Sequence, residues 1–132
     1  MIYCTITWGF VMDLALYIRK IAENLYRDPL GIKWRKKIHR FGSYCEFAEH
    51  PLADIKKYDE YRFPDPFEIH KKEFEDYKKL IASDGKDFAI LGGVACTMFE
   101  ASWYLRGLEN FLIDLYKNRD FAEELLEKTM EY

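Results

Sequence analysis

Cysteine is scarce in this chain: Cys4, Cys45 and Cys96 stand far apart, with no CxxC pair among them. An odd, scattered count builds no disulfide framework and suits free thiols in a reducing compartment. Basic surplus is lacking too, with 20 Lys and Arg against 23 Asp and Glu and a net charge of −3. That balance carries no electrostatic footprint for nucleic acid. Apolar runs stay well short of the roughly 20 residues that a membrane-spanning helix needs. The opening run MIYCTITWGFVM has no basic lead-in and is interrupted by Asp13, so it does not read as a signal peptide. Together these absences predict a soluble, cytoplasmic protein that meets neither nucleic acid nor membrane. Phosphate-loop, dinucleotide and GxSxG signatures are also missing. There is no internal repeat and no low-complexity tract.

What is present suffices for one folded domain spanning 1–132. Hydrophobic residues make up 49% of the chain and aromatics 17%, enough to build a core and to disfavour disorder. Met1 to Phe10 is rich in β-branched and aromatic residues and reads as a strand. From Met12 to Tyr26, Leu14, Leu16, Ile18, Ile21, Ala22 and Leu25 make a helical stripe that Asp28-Pro29 stops. Between Gly31 and Ala48 the period changes to two around Gly42-Ser43, which predicts a hairpin or two short strands. The basic run Lys33 to Arg40 reads as its solvated face, since acids return directly after it. A short helix with Leu52, Ile55 and Tyr58 on one side follows His50-Pro51.

A longer helix is predicted from Pro66 to about Ala82. Asp65 caps it, Pro66 takes its first position, and Phe67, His70, Phe74, Tyr77 and Ile81 mark one buried face. Phe88 to Leu91 is a short apolar run, as in a strand covered on both faces. A glycine pair and amphipathic helices come next, the last beginning near Phe121 behind an Asp120–Glu123 capping box. That order is one βα step of a parallel α/β protein.

The wording of several segments is also distinctive: DPLGIKW at 28–34, EFAEHPLAD at 46–54, FPDP at 63–66 and DFAILGGVACTMFEASWYLRGLENFL within 87–132. In this order they resemble the uroporphyrinogen decarboxylase family, over about residues 28–132, and the corrinoid-dependent methyltransferase branch of it more than the porphyrinogen decarboxylases. The resemblance implies a (β/α)8 TIM barrel. A closed barrel of that kind needs about 250 residues. The 132 present would cover its N-terminal third to half, helix-rich with a β-hairpin excursion. Tyr132 falls on an unfinished helix, which is the expectation of a fragment.

Barrel enzymes bind substrate at the loops after their strands. By the resemblance Gly92, Gly93, Met98, Phe99, Glu100 and Trp103 become pocket-lining candidates for substrate. The two glycines either let a ligand approach the backbone or only make the turn. Glu100, the only ionisable side chain apart from Cys96 and Tyr104 between Phe88 and Leu105, either serves as acid or base or pairs with Arg106. The second reading is preferred. Cys45, Glu46, Glu49 and His50 superficially suggest a metal site, but only a loose pair of them shares a face and zinc wants three or four ligands. No metal ligand is assigned.

The family's methyltransferases hold zinc with a His-x-Cys pair and a later Cys, and zinc keeps a thiol deprotonated as a nucleophile. Its decarboxylases carry an early arginine-rich loop and an Asp facing the pyrrole nitrogens. Neither set occurs here, so catalytic residues are unassigned and the segment by itself is expected to bind no cofactor and turn nothing over. The parent's reaction would be methyl transfer between a corrinoid (cobalamin) and a thiol-type acceptor, with zinc, a small-molecule substrate and a corrinoid protein as its companions. Porphyrinogen decarboxylation is the alternative. A reading of another class is a non-catalytic half-barrel binding module that self-associates through uncovered barrel edges.

Overall fold

The computed structural model of the chain describes residues 3–8, 18–69, 71–85, 89–94 and 96–132. Six strands and five helices are present among them. Strands β1 (Tyr3–Trp8) and β6 (Ala89–Val94) form a two-stranded parallel pair, with Tyr3 opposite Ala89 and Trp8 opposite Val94. Strands β2 (Arg19–Ala22), β3 (Leu25–Arg27), β4 (Lys33–His39) and β5 (Gly42–Glu49) form a separate sheet in that order. The helices are α1 (Pro66–Ile69), α2 (Lys71–Asp84), α3 (Met98–Arg106), α4 (Leu108–Lys117) and α5 (Arg119–Glu131).

Every neighbouring pair in the four-stranded sheet is antiparallel. This overturns the expectation of a TIM-barrel portion. The reason lies in the connections. Glu23-Asn24 joins β2 to β3 and Arg40-Phe41 joins β4 to β5, and two-residue links can only reverse a strand, whereas parallel strands need a long crossover. Asn24 takes the left-handed conformation (φ 53°) that such a tight reversal demands and that Asn tolerates. Ile18, Ile21, Ala22 and Leu25 are therefore not on a helix, and Met12 to Tyr17 lie outside the described residues. A reversal at Asn24 outcompetes the helical stripe because the pairing partner, β4, comes from further along the chain.

The hairpin predicted around Gly42-Ser43 is present as β4 and β5, with its turn two residues earlier. Asp65 caps α1 as expected, its carboxylate accepting from Phe67 N at 2.8 Å. The face predicted to be buried there is only partly so: Phe74 and Tyr77 are half-buried, Phe67 and Ile81 are exposed, and His70 lies outside the described residues. After His50-Pro51 only a single 3₁₀ turn forms, Ile55–Lys57. α5 starts at Arg119, and no side chain caps it.

The core gathers Leu30, Ile32 and Trp34 from the sheet side, Leu52 from the loop after β5, and Leu105, Phe111, Ala122 and Leu125 from α3, α4 and α5. Alternation along β4 and β5 aims Trp34 and its partner Phe47 at the helices. There Phe47 meets Trp103 and Tyr104 at ring-centroid distances of 5.1 and 4.9 Å. No helix among the described residues is long and apolar enough to cross a membrane.

Candidate functional site

Three of the distinctive segments meet at one junction between the sheet and α3. In DPLGIKW, Pro29 sits second in a turn closed by Gly31 N donating to Asp28 O at 3.0 Å. The Asp28 carboxylate then accepts from Ile32 N at 2.9 Å and from Trp34 Nε1 at 2.8 Å. Burial pushes this carboxyl above the usual aspartate range, against the lowering pull of those same hydrogen bonds. Around it, Tyr61 donates its hydroxyl to Leu30 O at 2.8 Å, and burial holds the Tyr132 phenol up at about 12.

EFAEHPLAD supplies the next layer. Phe47 stacks on Trp34 and on His50, with centroids 4.3 and 5.1 Å apart. The His50 ring donates from Nδ1 to Tyr104 O at 2.7 Å, because a carbonyl can only accept. Leu52 is held from both sides: its N–H donates to Leu105 O at 3.0 Å, and its carbonyl accepts from Arg106 Nη1 at 2.9 Å.

MFEASWYLRGLENFL closes the junction. Arg106 also bonds Ala53 O, and its Nε donates to Asp114 Oδ2 at 2.6 Å. Asp114, 1% exposed, receives Asn118 Nδ2 on its other oxygen at 2.6 Å. Gly107 makes the bend between α3 and α4 at φ +86°, where a Cβ would also stand 3.3 Å from the His50 ring. Only glycine fits both conditions. The junction's polar groups are thus spent on one another, which is what a buried network needs to hold a fold.

The six pocket-lining candidates do not form one site. Gly92 and Gly93 belong to β6, opposite Ile6 and Thr7, instead of the loop after it. Met98 and Phe99 are exposed on the first turn of α3, and Trp103 packs on Phe47 and Tyr104. Glu100 does not pair with Arg106. Its carboxylate accepts from Thr97 N at 2.9 Å while Glu100 N donates to Thr97 Oγ1 at 3.2 Å, a complete capping box. The Thr97-to-Glu100 spacing announces that box in the sequence, whereas the Arg106–Asp114 pair has no local signal.

Cys96 is buried beside this cap, and burial together with the Glu100 charge pushes its thiol up to about 12. It stays protonated at neutral pH and is a poor nucleophile. Peptide-resolved labelling with iodoacetamide at pH 8 is expected to modify exposed Cys45 and spare Cys96 until the chain unfolds. Equal labelling of the two in the folded chain would contradict this picture of Cys96.

The described residues do not fit a zinc site. No three His, Cys, Asp or Glu among them converge. Glu46 and Glu49 are engaged by Lys37 at 3.3 Å and Lys33 at 2.6 Å. Comparison with known proteins gives no family model, no curated protein and no solved structure that matches the chain.

Proposed function

We propose that the chain is part of an enzyme of the uroporphyrinogen decarboxylase family, of the methyltransferase-like branch. The observation that carries this reading is the meeting of DPLGIKW, EFAEHPLAD and MFEASWYLRGLENFL at one junction. Segments far apart in sequence share a resemblance to one family and also share one packing unit, as pieces of a single inherited scaffold do. The enzyme's reaction is methyl transfer between a corrinoid and a thiol-type acceptor, and this chain's own contribution is scaffolding: Arg106 and Asp28 lock α3, α4 and the sheet together. Porphyrinogen decarboxylation is the runner-up within the family.

A second reading, a non-catalytic module that associates with a second copy of itself, is favoured by uncovered apolar side chains. Ile38, Phe41 and Tyr44 project at the hairpin tip, and Leu108, Leu112, Ile113 and Tyr116 lie exposed on α4. Sequencing the DNA on both sides of this stretch separates the readings. An open frame with a downstream His-x-Cys and a later Cys is the expected result. An upstream arginine-rich loop without the His-x-Cys would move the assignment to the decarboxylases. Stops on both sides would remove the enzyme reading and leave the module.

A further inference from the structure

A cleft of about 480 Å3 opens between β2 and the Asp28-Pro29 turn, lined by Arg19, Lys20, Ile21, Arg27, Asp28 and Pro29. We propose that this cleft binds a phosphate group, with Arg19, Lys20 and Arg27 as its donors. The inference is independent of the family reading and of the junction around Arg106.

The sheet register gathers the cations. Arg19 lies directly across from Arg27 on β3, and Arg27 directly across from Lys33 on β4. Three cations in one cross-strand row repel each other. The row carries one remedy, at its far end, where Glu49 pairs with Lys33 at 2.6 Å. Arg19, Lys20 and Arg27 have no ion pair among the described residues. The chain is acidic as a whole, yet residues 18–41 hold eight Lys and Arg against two acids, so the positive charge is gathered here.

The one acid on the lining is turned away. Both Asp28 oxygens are occupied by Ile32 N and Trp34 Nε1, inside the core. An anion entering the cleft therefore meets cations whose charge the lining itself does not cancel.

Arg27, though exposed on β3, has its guanidinium seated in advance. Its guanidinium lies against Gly31: a Cβ added at Gly31 would come within 3.3 Å of Arg27 Nη2 and 3.7 Å of Nε. Gly31, at φ +84°, keeps that space open. An arginine packed in this way loses less freedom when it binds than one waving in solvent.

The chemistry then selects the ligand. Two guanidinium forks and an ammonium on one cleft lining supply three positive charges, which match a tetrahedral dianion better than a carboxylate of one charge and two oxygens. Half-exposed Ile21 offers an apolar wall to whatever carries the phosphate. Such a group could come from a soluble phosphorylated molecule or from a lipid headgroup.

The test is isothermal titration calorimetry of the whole chain with sodium pyrophosphate at 50 mM salt, beside sedimentation with phosphatidic acid vesicles and phosphatidylcholine vesicles. We expect saturable binding to pyrophosphate, weakened about tenfold by Arg19→Met or Arg27→Met, as loss of one charged hydrogen-bond donor implies. Lys78→Met, on α2, should leave it unchanged. Arg19 is exposed, so its variant tests the site without threatening the fold. Capture by phosphatidic acid vesicles alone, lost in the same two variants, would assign the phosphate to a lipid. Absence of binding in both arms would overturn the proposal, as would equal loss in the Lys78 variant.

Discussion

Arg106→Met is expected to destabilise the fold by about 3–5 kcal/mol, the usual cost of removing one partner from a buried ion pair. Asp114, 1% exposed, would be left with only Asn118 to answer it. The carbonyls of Leu52 and Ala53 would lose the guanidinium that they share. Arg106→Lys should recover little, because a single ammonium cannot face Asp114 and two carbonyls in the planar arrangement that a guanidinium provides. The double variant Arg106→Met with Asp114→Leu should be more stable than Arg106→Met alone, since it buries no orphaned charge. The exposed pair Arg119–Glu123, at 3.3 Å, sets the scale for comparison. Exposed helix pairs contribute about 0.3–0.5 kcal/mol. Urea unfolding monitored by tryptophan fluorescence reads all four variants. If Arg106→Met shifts the midpoint no more than Arg119→Met does, Arg106 is not the tie between α3, α4 and the loop after β5.

Asp28→Ala is expected to cost about 2–4 kcal/mol, because two donors, Ile32 N and the Trp34 indole, lose their acceptor. Each buried unsatisfied donor carries about 1–3 kcal/mol. The same residue makes a pH prediction. Its folded pKa lies above the ordinary value of 3.8, chiefly through burial. In the window between the two values the folded chain keeps a proton that the unfolded chain has released. Its contribution is therefore fully present below 3.8 and is lost as pH rises through the folded value. Glu49, held low by its bond to Lys33, runs the other way: its contribution is present above 4.5 and fades as pH falls. The clean readout is the difference in unfolding free energy between the wild type and Asp28→Asn across pH 3 to 7. That difference should move against the wild type as pH rises. A flat difference would mean that Asp28 titrates no differently in the folded and unfolded chains.

Local signals were readable wherever neighbours along the chain decide the outcome. The period-two pattern from Lys33 to Glu49 announces a hairpin, and Asp65-Pro66 announces a helix start. Both depend only on residues a few positions apart. Over Ile18 to Leu25 the helical stripe misleads because β2 and β3 exist by pairing, and pairing energy comes from strands that a local window does not contain. Closeness in sequence pairs Glu100 with Arg106. In space the helix cap claims Glu100 at its own N-terminus, and the next helix brings Asp114 to Arg106.

By itself, then, the sequence determined the hairpin of β4 and β5 and the capped start of α1. Only tertiary structure decided that β2 and β3 join that hairpin in one sheet, that Gly92 and Gly93 belong to a strand, and that Arg106 spans three elements. It also decided that Arg19 and Arg27, eight residues apart, stand face to face over a cleft. The division has one cause. Caps, turns and periodicity are properties of a few adjacent residues, whereas charge pairing, burial and pKa depend on which distant segments the fold makes neighbours.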